Sequence, residues 1–445
     1  MMPNPNTLLE QDQDHLLHPL HHPTDHRAPL LIESGHGVWL RTVEGKEYID
    51  GLAGLWNVLI GHGNTELAEA ARKQMSELAF CSTYIGSSNL RAIELAERLA
   101  GFAYPNLNTT YFASGGAEAN ESAFKTVRYY WKRKGKPGKV KIIARHRAYH
   151  GVTLAAMSAT GLPMYWEMFE PRVPGFVHVA APYPYRFDGE VKAGETIGQA
   201  AARLVEEAIL REGPDTVGAV IAEPVQGAGG VIVPPDDYFP HLRQICDRHQ
   251  VLLIADEVIT GFGRTGDWFA LRRWGVQPDI MSFAKGITSG YLPLGGIQIS
   301  DEIRDAIRTA EYGQRWMHAY TYSGHPTCCA VGLKNLDILE RGGLAERAKQ
   351  RGRRLLAGLQ SLLEFPKVGD VRGLGLMCAV ELVADKESKA PANLGNKVRQ
   401  ACLDRGLFTR SIGDILAFAP PLIISEDEVD RIVTIMREAL ETVGT

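Results

Sequence analysis

The chain has little cysteine, no long apolar run and no excess of positive charge. Its six cysteines are Cys81, Cys246, Cys328, Cys329, Cys378 and Cys402, and none falls in a C-x-x-C pair. Reduced thiols in an intracellular protein are the simplest reading. No apolar stretch approaches the length of a membrane span. No basic start leads into an apolar stretch, so no signal peptide is expected, and a cytoplasmic protein is the default. The formal net charge is −4, which argues against non-specific nucleic-acid binding. One basic run, Lys132, Arg133, Lys134, Lys136, Lys139 and Lys141, reads as a solvated helix end and loop. What remains is an ordinary globular composition, 45% hydrophobic and 22% charged, with material for a large core.

Histidine is unevenly spread. The opening DQDHLLHPLHHPTDHRAP holds His15, His18, His21, His22 and His26. Their spacing fits no zinc template, no cysteine is near, and two prolines interrupt any helix. An irregular arm packed on a partner is expected here, and no metal.

The segment GVWLRTVEGKEYIDG reads as a β-hairpin turning at Glu44-Gly45. From about 60 to 325, short apolar runs alternate with amphipathic segments. Strands are expected at 109–113, 139–144, 216–222, 251–255, 279–283 and 295–299. Helices are expected around 196–211 and 237–249, and after 116, where Phe124, Val127 and Trp131 share a face. Strands apolar along their whole length, separated by helices, indicate a mainly parallel sheet covered on both faces. Beyond about 326 the rhythm becomes that of a smaller α+β domain. It ends in a helix opened by a capping box, Ser425 with Glu428. The expected division is 1–59 as arm and part of the small domain, 60–325 as the large domain, and 326–445 as the rest of the small domain.

Five stretches carry possible chemistry. VLLIADEVITGFGRTG ends an apolar strand in Asp256 and Glu257, at the strand end where α/β sheets form their ligand crevice. Its G-F-G-R-T-G matches G-x-G-x-x-G only formally. The strand ends several residues too early and no helix clearly opens inside the glycines, so a dinucleotide site is set aside. YFASGGAEAN is a strand, a small-residue loop and a helix start, in which Gly115 and Gly116 let amides approach an anion. A tight βα turn explains it equally well. RAYHG places Tyr149 and His150 after a strand, as a stacking aromatic or as core. IAEPVQGAGG ends another strand in Glu223. Finally, PDIMSFAKGITSG holds Lys285 among Gly286, Ser289 and Gly290, with no acidic residue within five positions. These small residues leave room around it.

A lysine at a strand end can be desolvated into its neutral, nucleophilic form and take an aldehyde as a Schiff base. With pyridoxal phosphate as that aldehyde, the other pieces acquire roles. The glycine loop holds the phosphate, Asp256 pairs with the ring nitrogen, and Tyr149 stacks on the ring.

The set SGGAEAN, AYHG, AEPVQGAGG, ADEVITGFGRTG, FAKGITSGYLPLGG and YTYSGHP resembles the class III, fold type I pyridoxal-phosphate aminotransferases. Within them it is most similar to the ω-transaminases that use pyruvate as acceptor. The match runs in order over nearly the whole chain, the N-terminal HLLHPLHHPTDH included. The resemblance implies an aspartate-aminotransferase-like α/β fold, with a mainly parallel seven-stranded sheet and a smaller α+β domain. It implies Lys285 as the Schiff-base lysine and Asp256 as the pyridine partner. Glu223 would support the carboxylate and ring edge, with Val258 under the ring opposite Tyr149, and His150 beside the cofactor. Gly115, Gly116 and Ala117 match the phosphate loop, although the family often has serine where Ala117 stands. Thr321 matches a threonine that reaches the phosphate of the neighbouring subunit, which implies a homodimer with shared sites, or a tetramer of such dimers.

On the substrate side the resemblance implies Trp56 as a pocket tryptophan and Arg410 as the carboxylate-binding arginine, with Tyr84 and Ala228 lining the same pocket. The implied reaction moves an amino group from a primary amine, diamine or ω-amino acid to pyruvate. An aminomutase or decarboxylase on the same scaffold is the nearest rival, and a non-catalytic oligomeric binding protein a more distant one.

Overall fold

The computed structural model describes residues 4–24 and 27–444. A helix, Pro5–His15, opens the chain, with Asn4 accepting a hydrogen bond from the Asn6 amide at 3.0 Å. This corrects the expectation of an arm irregular throughout: the prolines that would interrupt a helix lie after it. None of its residues is buried. His18 Nε2 lies 2.8 Å from Asp12 Oδ2, and His26 lies outside the described residues. Among those residues, no group of three or more His, Cys, Asp or Glu side chains could hold a metal ion.

Strands β1 (Ile32–His36), β2 (Trp39–Thr42) and β3 (Glu47–Asp50) follow as an antiparallel meander. The expected turn at Glu44-Gly45 lies between β2 and β3, with Gly45 at φ 84°.

The large sheet contains β4 (Leu107–Ala113), β5 (Lys141–Arg145), β6 (Phe176–Val179), β7 (Val217–Ala222), β8 (Leu252–Asp256), β9 (Ile280–Phe283) and β10 (Gly295–Ser300). Their order is β4-β10-β9-β8-β7-β5-β6. Only β10 runs against its neighbours. Six of the seven were legible as apolar runs. The seventh, β6, is a four-residue edge strand whose burial is mostly partial, so it carries little apolar signal.

Alternate residues of each strand enter two cores, which is why the strands read as continuous apolar runs. Ile142, Ala219, Ile221, Ile254 and Ile280 pack under the helix Gly116–Arg133, through its Phe124, Val127 and Trp131. Ile143, Val220, Leu253 and Met281 face the other way, into the core containing Val205 and Ile209 of the helix Ile197–Glu212 and Leu242 of Tyr238–Arg248.

The C-terminal part adds β11 (Val368–Gly373), β12 (Cys378–Leu382), β13 (Leu407–Phe408), β14 (Arg410–Ile412) and β15 (Ile415–Phe418). Four of these form a sheet in the order β11-β12-β15-β14, while β13 pairs in parallel with β3. The last helix, Glu426–Val443, carries the expected capping box. The Ser425 amide donates to Glu428 Oε2 at 2.9 Å, and the Glu428 amide to Ser425 Oγ at 3.2 Å. No helix among the described residues is long and apolar enough to cross a membrane.

Candidate active site

The carboxyl ends of β4, β5, β7, β8 and β9 open onto one cavity of about 480 Å³. Gly115, Gly116, Ala117, Tyr149, His150, Glu223, Asp256, Val258 and Lys285 all line it. Nine residues spread over 170 positions of sequence are therefore brought together because parallel strands deliver their ends to one edge.

Lys285 follows β9 in the left-handed region, at φ 45°, a conformation that costs a non-glycine residue energy and tends to mark functional sites. Its amine makes no hydrogen bond or ion pair with any described residue. The residue keeps a little exposure through the cavity, yet packing around the amine lowers its pKa. The charges of Asp256 and Glu223 oppose that shift, and Arg410 adds to it. The neighbouring small residues do more than leave room: Gly290 lines the cavity as expected, and close packing also bears on Gly286 and Gly290. A Cβ on Gly286 would stand 2.7 Å from Leu59 Cδ1 and 3.2 Å from Phe262 Cβ, and one on Gly290 would stand 3.0 Å from Asn57 Nδ2. Ser289 Oγ accepts the Ile60 amide at 3.0 Å. These residues are small because the chain packs against them, and that packing fixes the turn carrying Lys285.

Asp256 is buried and held by three donors. Asn120 Nδ2 and His150 Nδ1 each lie 2.8 Å from Oδ2, and the Val258 amide donates to Oδ1 at 3.2 Å. Bonds of this kind fix the orientation of a carboxylate. Asn120 also donates to the His150 carbonyl at 2.8 Å. It sits one turn into the helix that begins at Gly116, so one side chain ties that helix to Asp256. Sequence reasoning gave Asn120 no role, although it closes the quoted stretch SGGAEAN. Its partners lie 30 and 136 positions away.

Glu223 accepts the Tyr149 amide at 2.9 Å through Oε1 and the Gly227 amide at 2.9 Å through Oε2. Burial pushes its carboxyl pKa up. Glu257, adjacent to Asp256, belongs to the opposite side of the strand. It accepts from Tyr104 Oη at 2.6 Å and from the Leu271 amide at 3.1 Å, and is structural. The G-F-G-R-T-G stretch forms turns, no α-helix opens within it, and only a short 3-10 helix, Ala270–Trp274, follows. Its buried Arg264 donates to the carbonyls of Leu376 at 3.0 Å and Pro420 at 2.5 Å, tying the two domains, and burial pushes its pKa down to about 9.

The helix starting at Gly116 has no side-chain cap, so its first amides are free to meet an anion beside the cavity. A Cβ on Gly116 would lie 2.9 Å from Val258 Cγ1. Ala117 packs so closely on Gly151 that a Cβ there would meet its own at 2.6 Å.

The substrate-side residues are placed less uniformly. Trp56 is 2% exposed and packs with Val225, Val231, Ile259, Met377 and Ile415. It does not line the cavity, whereas its neighbour Asn57 and Ile259 of the same apolar cluster do. Ala228 sits half-buried in the turn after Gly227 and is also off the lining. Arg410 is half-buried and pairs with no carboxylate among the described residues, and its charge acts on Lys285 and Tyr149. Tyr84 is 65% exposed and lies on a second cavity of about 820 Å³, with Trp316, His318 and Tyr320. The expectation that it shares the Lys285 pocket does not hold within one chain. Thr321 is exposed next to that second cavity and does not line the first.

A free strand-end amine, a triply held carboxylate and an uncapped helix start around one cavity suit an aldehyde cofactor bearing a ring nitrogen and a phosphate. The chain belongs to the class III aminotransferases, whose family model, Aminotransferase class-III, matches residues 21–440. It is 39% identical over 435 residues to a putrescine–pyruvate aminotransferase of Pseudomonas aeruginosa, covering 96% of this chain and 94% of that one. A thermostable (S)-enantioselective ω-transaminase from Thermomicrobium roseum superposes with a TM-score of 0.96 at 50% identity, with both chains fully covered. The ω-transaminase from Pseudomonas jessenii in complex with PMP gives 0.94 at 41% identity, with 98% of each chain covered. The protein is a pyridoxal-phosphate-dependent aminotransferase with the expected fold.

Proposed function

We propose that the enzyme transfers an amino group from a primary amine, diamine or ω-amino acid to pyruvate, releasing a carbonyl product and alanine. The observation that carries this is the unpaired, pKa-depressed amine of Lys285 facing a carboxylate fixed by three donors. Bound pyridoxal phosphate supplies an aldehyde carbon and a ring that accepts the electron pair of a cleaved C–H bond. The amides of Gly115, Gly116 and Ala117 would hold its phosphate, with no hydroxyl from position 117. Asp256, whose Oδ1 takes no side-chain donor, would pair with the ring nitrogen, and His150 holds Asp256. Glu223, bonded to the Tyr149 and Gly227 amides, would support the ring edge. Tyr149 and Val258 would flank the ring. Lys285 Nζ would hold and move the proton of the donor's carbon, as base and then acid.

Arg410 suits the carboxylate of pyruvate, since its guanidinium is unpaired and forks onto carboxylates. Trp56, Ala228 and Tyr84 belong to the donor side. Thr321 lies off the Lys285 cavity of its own chain and would serve the phosphate of a neighbouring copy, in a homodimer with shared sites or a tetramer of them, with the cytoplasm as the expected location. The putrescine–pyruvate relative supports the pyruvate acceptor. An aminomutase or decarboxylase has less support, because the similar proteins are ω-transaminases and a putrescine–pyruvate aminotransferase.

The test is alanine formation from pyruvate across a panel of monoamines, diamines and ω-amino acids. Alanine should appear with at least one donor class. In Arg410→Ala the KM for pyruvate should rise by about ten- to a hundredfold, the loss of a charged hydrogen-bonded pair. No alanine with any donor would overturn the proposal.

A further inference from the structure

The backbone just beyond β3 follows a course that few residues tolerate. Ala53 at φ 50°, Gly54 at φ 65° and Trp56 at φ 66° all lie in the left-handed region within four residues. Such a stretch persists only where its surroundings over-determine it. Asp50 is the determinant. Fully buried, it accepts the Leu52 amide at 3.2 Å through Oδ1 and the Gly54 amide at 2.7 Å through Oδ2. The same Oδ2 lies 2.8 Å from His62 Nε2, on a ring 20% exposed. His62 is itself anchored by two backbone bonds to Gly37, at 2.8 and 3.0 Å. At the far end of the stretch, Asn57 Oδ1 accepts the Leu55 amide at 3.1 Å, and Asn57 lines the Lys285 cavity.

The same strand end carries the other substrate determinant. Asp50 stands opposite Phe408 in the β3–β13 pair, and the Gly51 amide donates to the Phe408 carbonyl at 2.8 Å. A Cβ on Gly51 would meet that carbonyl oxygen at 2.9 Å, so the approach tolerates no side chain. Arg410 follows two residues later. Trp56 and Arg410 therefore hang from one short strand pair, and Asp50 sits at its end. The buried Arg264 also feels the charge of Asp50.

We propose that Asp50, locked by His62, is a positioning residue that sets the course of Leu52–Asn57 and thereby the size of amine donor the site accepts. It touches neither cofactor nor substrate. Its influence reaches the cavity through Asn57, which lines it, and through the apolar cluster that Trp56 shares with the cavity-lining Ile259. With the lock removed, the stretch relaxes out of the left-handed region, Trp56 loosens, and bulky donors gain access. The inference rests on the transaminase reading above and adds what controls its donor selectivity.

The test uses the holoenzymes of Asp50→Asn, His62→Ala and His62→Gln, with pyruvate as acceptor and one small and one bulky aryl-alkyl amine as donors. The ratio of kcat/KM for bulky over small donor should rise about tenfold in Asp50→Asn and about threefold in His62→Ala. His62→Gln, which keeps a donor toward Asp50, should restore the wild-type ratio, and the cofactor absorbance should be unchanged in all three. Unchanged ratios with lowered Tm would overturn the proposal and leave Asp50 purely structural. If Asp50→Asn fails to fold, an unchanged ratio in His62→Ala alone overturns it. Wild-type enzyme making no alanine would refute the transaminase reading instead.

Discussion

Asn120 Nδ2 lies 2.8 Å from Asp256 Oδ2 and 2.8 Å from the His150 carbonyl oxygen, joining the phosphate-side helix to the carboxylate. Two elements that must grip opposite ends of one cofactor are thus fixed to each other by one side chain. Removing it leaves His150 as the only side-chain donor on that oxygen among the described residues. In Asn120→Ala the affinity for pyridoxal phosphate should fall by about ten- to thirtyfold, the worth of a hydrogen bond to a charged group. Cofactor release during equilibrium dialysis measures it. Retention equal to wild type would show that His150 alone orients Asp256.

The lowered pKa of Lys285 predicts a pH profile. Burial disfavours the cation, so the neutral amine persists below the ordinary lysine value of 10.5. The rate at which apoenzyme recaptures pyridoxal phosphate should rise with pH and level off below 10.5. Apoenzyme stability should move in the same direction. Between the folded and unfolded pKa values the unfolded chain binds more protons, so stability rises with pH there and is lost as pH falls. A capture rate still climbing beyond 10.5 would contradict this.

Gly286 offers a test of what the small residues do. A Cβ there would press on Leu59 and Phe262, and overpacking of this kind costs about 1–3 kcal/mol. Gly286→Ala should lower Tm by about one to three degrees and slow turnover by displacing Lys285. A variant with wild-type Tm and raised turnover would favour the open-space role instead.

These three cases mark what a sequence can and cannot carry. Strand ends were legible because β7, β8 and β9 are apolar on both faces, so Glu223, Asp256 and Lys285 stood out as polar residues closing apolar runs. Resemblance then supplied what each was for. Contacts such as Asn120 with Asp256 were not legible, since 136 positions separate the partners and neither is unusual locally. The glycines after Lys285 were visible, but whether they face space or Leu59 depends on a segment more than 220 positions away. The Pro5–His15 helix is not legible, because Pro19 and Pro23 suggest a break in a segment that in fact ends before them. Tyr84 shows the remaining limit. Its resemblance to a pocket residue says nothing about which copy's pocket it would line.

The central claim is that Lys285 Nζ is both the cofactor's anchor and the proton carrier. Lys285→Ala measures it most directly, by following alanine formation from pyruvate and amine together with the cofactor's visible absorbance. Pyridoxal phosphate should remain associated through the helix at Gly116 and Asp256. The absorbance of the lysine-bound form should be absent, and turnover should fall to background. A variant that keeps that absorbance, or forms alanine at the wild-type rate, would contradict the account.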